Sequence, residues 1–184
     1  MLHDSLFLKI YVFMYNKIYM NIIYNRNEIS KNGLYRLGVG AIIENNGLIF
    51  CATRISNKNK AFEDTLQMPQ GGIEENEDTY TAALREIYEE TGIASDKIEY
   101  INHMKNWIYY DIPKEFIEQS NCIGQALIWY HFKFLGQDKD INLNIDTNPE
   151  FSEFFWKKGR EIVDNSIFFK QAIHDEVFKY FNFI

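Results

Sequence analysis

Between Gly71 and Ile93 the chain reads GGIEENEDTYTAALREIYEETGI. This stretch carries seven carboxylates, Glu74, Glu75, Glu77, Asp78, Glu86, Glu89 and Glu90, against a single Arg. Pro69, Gly71 and Gly72 mark a loop. The spacing after it predicts a helix over Thr79–Thr91. Asp78 or Thr79 caps its start. Ala83, Leu84, Ile87, Tyr88 and Thr91 form a mostly apolar stripe, and Gly92 is a natural stop. At about 100° per residue, Glu86, Glu89 and Glu90 share the face opposite Leu84.

That placement of acids is unfavourable for a plain helix. Like charges three and four residues apart cost about 0.2–0.5 kcal/mol per pair. Acids in the last turn meet the negative end of the helix dipole, at about 0.3–1 kcal/mol more. A divalent cation would offset both. Carboxylate oxygens suit a hard ion such as Mg²⁺ or Mn²⁺. Zinc would call for Cys and His at short spacing, whereas His3, His103, His131, His174, Cys51 and Cys122 are scattered. Magnesium held by carboxylates usually also contacts substrate phosphate. The residues alone therefore point to a Mg²⁺-dependent enzyme acting on a phosphate compound.

From Gly71 the pattern runs through five residues to Glu77, then seven more to Arg85-Glu86-Ile87-x-Glu89-Glu90-x-Gly92-Ile93. This is similar to the Nudix box at every defined position. The resemblance implies a loop–helix–loop that binds Mg²⁺, with Mn²⁺ as a substitute, and hydrolyses a nucleoside diphosphate linked to another group. Tyr35-Arg36, Gln67-Met68-Pro69-Gln70-Gly71-Gly72, Gly124-Gln125, Asn148-Pro149-Glu150-Phe151 and Phe168-Phe169-Lys170 look like the RNA 5′-pyrophosphohydrolases within that family. These are relatives of the dinucleoside-polyphosphate hydrolases. The resemblance runs from about Leu34 to the C-terminus. The chain departs from it at Ala126-Leu127-Ile128, where basic and amide residues are usual, at Leu66 in place of a tryptophan, and in the long loop Ser56–Thr65.

The resemblance implies a role for each matching residue. Glu86, Glu89 and Glu90 are metal ligands, with Gly71 offering its backbone and Glu150 completing the metal site or serving as base. Arg85 pairs with a carboxylate such as Glu77 and holds Glu86 in place. Arg36, Arg54, Gln70, Phe169 and Lys170 contact substrate, with Phe168 an equal candidate for stacking on a base. The implied fold is α/β, a Nudix-type α/β/α sandwich around a mixed β-sheet.

The rest of the chain agrees with such a domain. Strands are expected over Arg36–Glu44, Leu48–Arg54, Lys97–Tyr110, Gln125–Leu135 and Phe154–Trp156, with a turn at Asn45-Asn46-Gly47 and a closing amphipathic helix over Ile167–Phe181. The 184 residues, 46% of them hydrophobic, suit one domain with a real core. That domain spans 31–184, and 1–30 is an N-terminal extension, either an over-extended start or a packed tail, with Met14 and Met20 as later starts. No run of apolar residues is long enough for a membrane helix. Two cysteines fit a reducing cytoplasm. The net charge of −7 disfavours a protein that tracks along DNA or RNA, but not one that grips an RNA end. The expected activity is removal of pyrophosphate from a 5′-triphosphorylated RNA. A dinucleoside-polyphosphate hydrolase and a weakly active nucleotide or RNA sensor are the alternatives.

Overall fold

The computed structural model describes residues 25–55, 64–117 and 122–184. Expectations for residues 1–24, and for most of the loop after Arg54, lie outside the described residues. A short helix α1 (Arg26–Ile29) leads into a long strand β1 (Tyr35–Asn45), which turns at Asn46-Gly47 into β2 (Leu48–Arg54). Two short strands, β3 (Leu66–Gln67) and β4 (Gln70–Gly72), precede helix α2 (Thr79–Thr91). Then come β5 (Ile98–His103), β6 (Ile108–Asp111), β7 (Gly124–Phe134) and β8 (Phe151–Lys157). Helices α3 (Gly159–Asp164) and α4 (Phe168–Tyr180) close the chain. Among the described residues no helix is long and apolar enough to cross a membrane.

The strands form one mixed sheet in the order β3-β2-β1-β7-β5. β1 and β7 run parallel, while β2 and β4 pair antiparallel with different parts of β1. Strand alternation assigns the two faces. Leu37, Val39, Ala41 and Ile43 of β1, with Ala126, Ile128, Tyr130 and Phe132 of β7, pack under α2. Leu127 and Trp129 of β7 point the other way, to a second core with Ile162 of α3 and Ile173, Val177 and Phe178 of α4. Two buried cores on opposite sheet faces make the α/β/α sandwich.

Three expectations need correction. Lys97–Tyr110 is not one strand: Met104 turns inward and splits it into β5 and β6. Tyr88 is 48% exposed and leaves the stripe of α2, where Ala82 takes its place at the sheet. Small residues at 82 and 83 suit a helix lying close over β1 and β4. Gly71 and Gly72 are not in an open loop but in β4, paired with Val39 and Gly38. The expected strand Phe154–Trp156 lengthens to β8, and α3 was not anticipated. Residues 25–30 pack on the domain: Arg26 donates to the carbonyls of Ile73 and Glu74, and the Tyr109 hydroxyl donates to that of Ile29.

Gly40 shows how closely the second core is fitted. A Cβ there would sit 2.5 Å from the Trp129 indole, which is fully buried and cannot withdraw. Gly40→Ala is expected to cost about 1–3 kcal/mol through overpacking and to lower Tm by several degrees in a thermal melt. An unchanged melt would mean that the indole is less confined than its burial implies.

Candidate active site

Helix α2 is anchored at both ends. The Asp78 carboxylate accepts from the amides of Tyr80 and Thr81, and Gly92 takes a left-handed φ of 69° that ends the helix. This fixes the rotation of α2 over β4. The Arg85 guanidinium then reaches from the helix to the loop. Its Nε and Nη2 donate to both oxygens of Glu77 at 2.8 and 2.9 Å, the pairing expected from the sequence. Nη2 also donates to the Gly72 carbonyl, and Nη1 donates to Glu86 and Glu89 at 2.8 and 3.0 Å. The Glu77 carboxyl is held below its usual range by these bonds, and the guanidinium is held more firmly protonated by Glu77.

Glu90 is the buried member of the acidic trio, at 5% exposure, while Glu89 is open to solvent. Glu90 Oε2 accepts from the Gln70 amide at 3.0 Å. Its Oε1 has no hydrogen-bond partner in the described structure. Burial first, then the charges of Glu150 and Glu86, push the Glu90 carboxyl well above its usual range. Burial likewise raises Glu86, against the pull of Arg85. Glu150 comes from far along the chain. The Ile55 amide donates to its carbonyl at 2.7 Å, fixing it beside the end of β2, and its side chain lies 3.4 Å from Arg54.

Among the described residues no three Asp, Glu, His or Cys side chains converge tightly enough to close a metal site unaided. Arg85 draws Glu86 and Glu89 to itself. The donor set nevertheless fits a hard divalent cation. A buried carboxylate oxygen without a partner is costly until a charge reaches it. Gly71 is also needed: a side chain there would occupy the space of the Glu86 carboxylate.

The substrate candidates divide into two groups. The Arg36 guanidinium lies against Gly72, in a cleft that Arg85 and Glu86 also line. On the other side sits a polar cluster that sequence reading recognised only in part. Lys170 is buried at 5% exposure and donates to Gln67 Oε1 at 3.1 Å. The Gln70 side chain and the Tyr110 hydroxyl both donate to Gln125 Oε1, at 3.3 and 2.6 Å. Gln67 and Tyr110 were not anticipated. Tyr110 reads as an ordinary strand aromatic, and only its burial beside Gln125 marks it. Phe169 is part-buried and stacks on Tyr110 at 6.4 Å, while Phe168 is 60% exposed. The apolar Ala126-Leu127-Ile128 run is buried in β7, so it reports on the core rather than on a ligand.

The comparisons with known proteins identify the family. The NUDIX domain model matches residues 34–180. The chain belongs to the NUDIX domain family. An RNA pyrophosphohydrolase of Dinoroseobacter shibae is 40% identical over 152 residues, covering 80% of this chain and 92% of the relative. One from Wolbachia pipientis is 38% identical over 160 residues, covering 85% and 94%. The solved structure of the E. coli dihydroneopterin triphosphate pyrophosphohydrolase aligns with a TM-score of 0.60 at 16% identity, over 79% of this chain and 97% of that one. It supports the NUDIX fold alone. The family is one of hydrolases that use divalent metal ions, so this chain is a NUDIX hydrolase.

Lys170 gives the site a pH signature. Burial pulls its ammonium down to about 7, and Arg54 adds to the fall, while Glu90 and Glu150 oppose it. The unfolded chain, with an ordinary Lys, binds more protons than the folded one between about 7 and 10.5. Stability contributed by this group therefore rises with pH across that window. Thermal melts of the metal-free protein and of Lys170→Met from pH 6 to 9 should isolate that rise, as a difference between the two that moves in favour of the wild type with pH. Parallel profiles for the two proteins would mean that Lys170 is better solvated than its burial indicates.

Proposed function

We propose that this NUDIX hydrolase removes pyrophosphate from 5′-triphosphorylated RNA in a Mg²⁺-dependent reaction. The observation that carries the reading is Glu90: a buried carboxylate with one oxygen unsatisfied, coupled to Glu86 and Glu150. The likeness to RNA pyrophosphohydrolases over most of both chains supports the choice of substrate.

In this reading Glu86, Glu89, Glu90 and the Gly71 carbonyl hold the cation. Mg²⁺, or Mn²⁺ in its place, would supply charge to offset that developing on phosphate oxygens and lower the pKa of a bound water. Glu150 stands beside Glu86 and Glu90 to take the proton of the attacking water. Arg85 keeps Glu86 directed at the loop, a forked role that Lys would fill poorly. Arg36 and Arg54 hold the polyphosphate in line, and Lys170 and Gln70 contact its inner end. Phe169 offers a face to the terminal base. The two cysteines, Cys51 buried and neither in a disulfide, support a reducing, cytoplasmic setting.

A dinucleoside polyphosphate is the second reading, favoured by the net charge of −7, which gives little purchase on a long RNA. Triphosphorylated RNA, diadenosine tetraphosphate and deoxynucleoside triphosphates, offered in parallel with Mg²⁺, separate the two. The RNA should have the highest kcat/KM, and a preference for diadenosine tetraphosphate would reverse the assignment.

Two variants test the residue roles. Glu90→Gln should lower turnover by at least about 100-fold, beyond the usual effect of disturbing a ligand's support. It should leave the metal-free fold as stable or more so, because a neutral amide is cheaper to bury than a charge. Wild-type activity at limiting Mg²⁺ would remove Glu90 from the metal site. Arg36→Ala should lose a charge-assisted contact of about 1.5–3 kcal/mol, or about ten- to a hundredfold in kcat/KM. Its Mg²⁺ affinity, by calorimetry without nucleotide, should hardly move. Activity within about twofold of wild type on every substrate would make Arg36 an ordinary surface residue.

A further inference from the structure

The cleft that holds Arg36 has a wall from outside the matched domain. It measures about 460 Å³, within the range of small-ligand sites (about 300–1,000 Å³). One side is the NUDIX loop and helix, through Gly72, Glu74, Arg85 and Glu86. The other is α1 and the turn after it, through Arg26, Asn27 and Ser30. The matched NUDIX segment begins only at residue 34.

Arg26 is held in a defined position on that wall. Its Nη1 and Nη2 donate to the carbonyls of Glu74 and Ile73 at 3.1 and 3.2 Å, which fixes an exposed guanidinium at the rim. Arg36 faces the same space, and among the described residues its guanidinium has no hydrogen bond or ion pair. Arg85 also lines the cleft, but all five of its N–H groups are committed to Glu77, Glu86, Glu89 and Gly72. Glu74 and Glu86 are the acids lining it, and Arg85 is matched by its own carboxylates, so Arg36 is the guanidinium of the cleft that no acid among the described residues pairs. Glu86 also ties the cleft to the reaction centre, since a group seated against Arg36 lies beside the carboxylate assigned to the metal.

We propose that this cleft is the subsite for the distal, leaving end of the polyphosphate, with Arg26 on α1 as a specificity-determining residue that binds it together with Arg36. The proposal rests on the reading of the site as a triphosphate-end hydrolase. It makes α1 part of the substrate site rather than a dispensable lead-in. A pre-held guanidinium binds an anion at low ordering cost. It also favours a substrate with one more phosphate beyond the bond that breaks.

The test uses the full chain, its Arg26→Ala and Arg26→Lys variants, and inorganic pyrophosphate as probe. Calorimetry in Mg²⁺ should show pyrophosphate binding to the wild type. The affinity should weaken about tenfold in Arg26→Ala and return to within about threefold in Arg26→Lys, the scale of one charge-assisted contact. The ratio of kcat/KM for triphosphorylated over diphosphorylated RNA should fall in Arg26→Ala and recover in Arg26→Lys. Undetectable binding to the wild type, or an Arg26→Ala affinity within about twofold of it, overturns the proposal. So does an equal loss on both RNAs with a lowered Tm and no rescue by Lys, which would make Arg26 only a brace for the Ile73–Glu74 turn. If the wild type cleaves neither RNA, the substrate reading fails separately, and the pyrophosphate calorimetry still decides the cleft.

Discussion

Every N–H of Arg85 is used, and the site is organised around that fact. Two bonds go to Glu77, one each to Glu86 and Glu89, and one to the Gly72 carbonyl. One planar group thereby ties the middle of α2 to the loop before it and to the edge of β4. It also answers the electrostatic problem posed by the acidic helix. The only cation in the Gly71–Ile93 stretch sits where it touches three of its carboxylates. Lys could supply the charge but not the five directed donors, so the loop would lose its fixed distance from the helix.

Arg85 settles Glu86 and Glu89 and leaves Glu90 unsettled. Glu90 turns inward, gains a single amide bond from Gln70 and keeps one oxygen without a partner. Two buried ionisable groups of the site are thus displaced in opposite senses. Glu90 is driven toward its protonated form and Lys170 toward its neutral form, each chiefly by loss of water. Neither arrangement serves the stability of the empty protein. In the proposed reading, both are eased by a ligand that brings a cation to the first and an anion to the second.

Much of this was legible in the sequence where the signal is local. Asp78, Gly92 and the helical spacing between them define α2, and the Arg85–Glu77 pair that the resemblance implies is present. What the residues by themselves do not give depends on distant partners, and Glu150 and Lys170 enter the site only through the family resemblance. Glu150 reads as a surface acid until the Ile55 amide fixes it near Glu90. Lys170 stands in an amphipathic helix where a lysine should face water, yet Gln67 and Tyr110 enclose it. Tyr88 sits on the expected stripe but points outward, because the tight approach of α2 to the sheet is made by Ala82 and Ala83. The apolar residues after Gln125 could not inform on substrate, since β7 is central and buries them on both faces.

The glycines of β1 and β4 show why the site lies where the two cores meet. Gly38 and Gly40 leave room on one face for Leu127 and Trp129 of the paired strand β7. Gly71 and Gly72 leave room for the Glu86 carboxylate and the Arg36 guanidinium. Backbone without side chains is therefore spent twice, once on packing and once on charge. The two uses are coupled, because β4 pairs with the stretch of β1 that carries Gly38 and Gly40. A shift in the Trp129 layer would move β4, and with it the Gly72 carbonyl that Arg85 holds. The second core and the Arg36–Glu86 cleft thus share one pair of strands, β1 and β4.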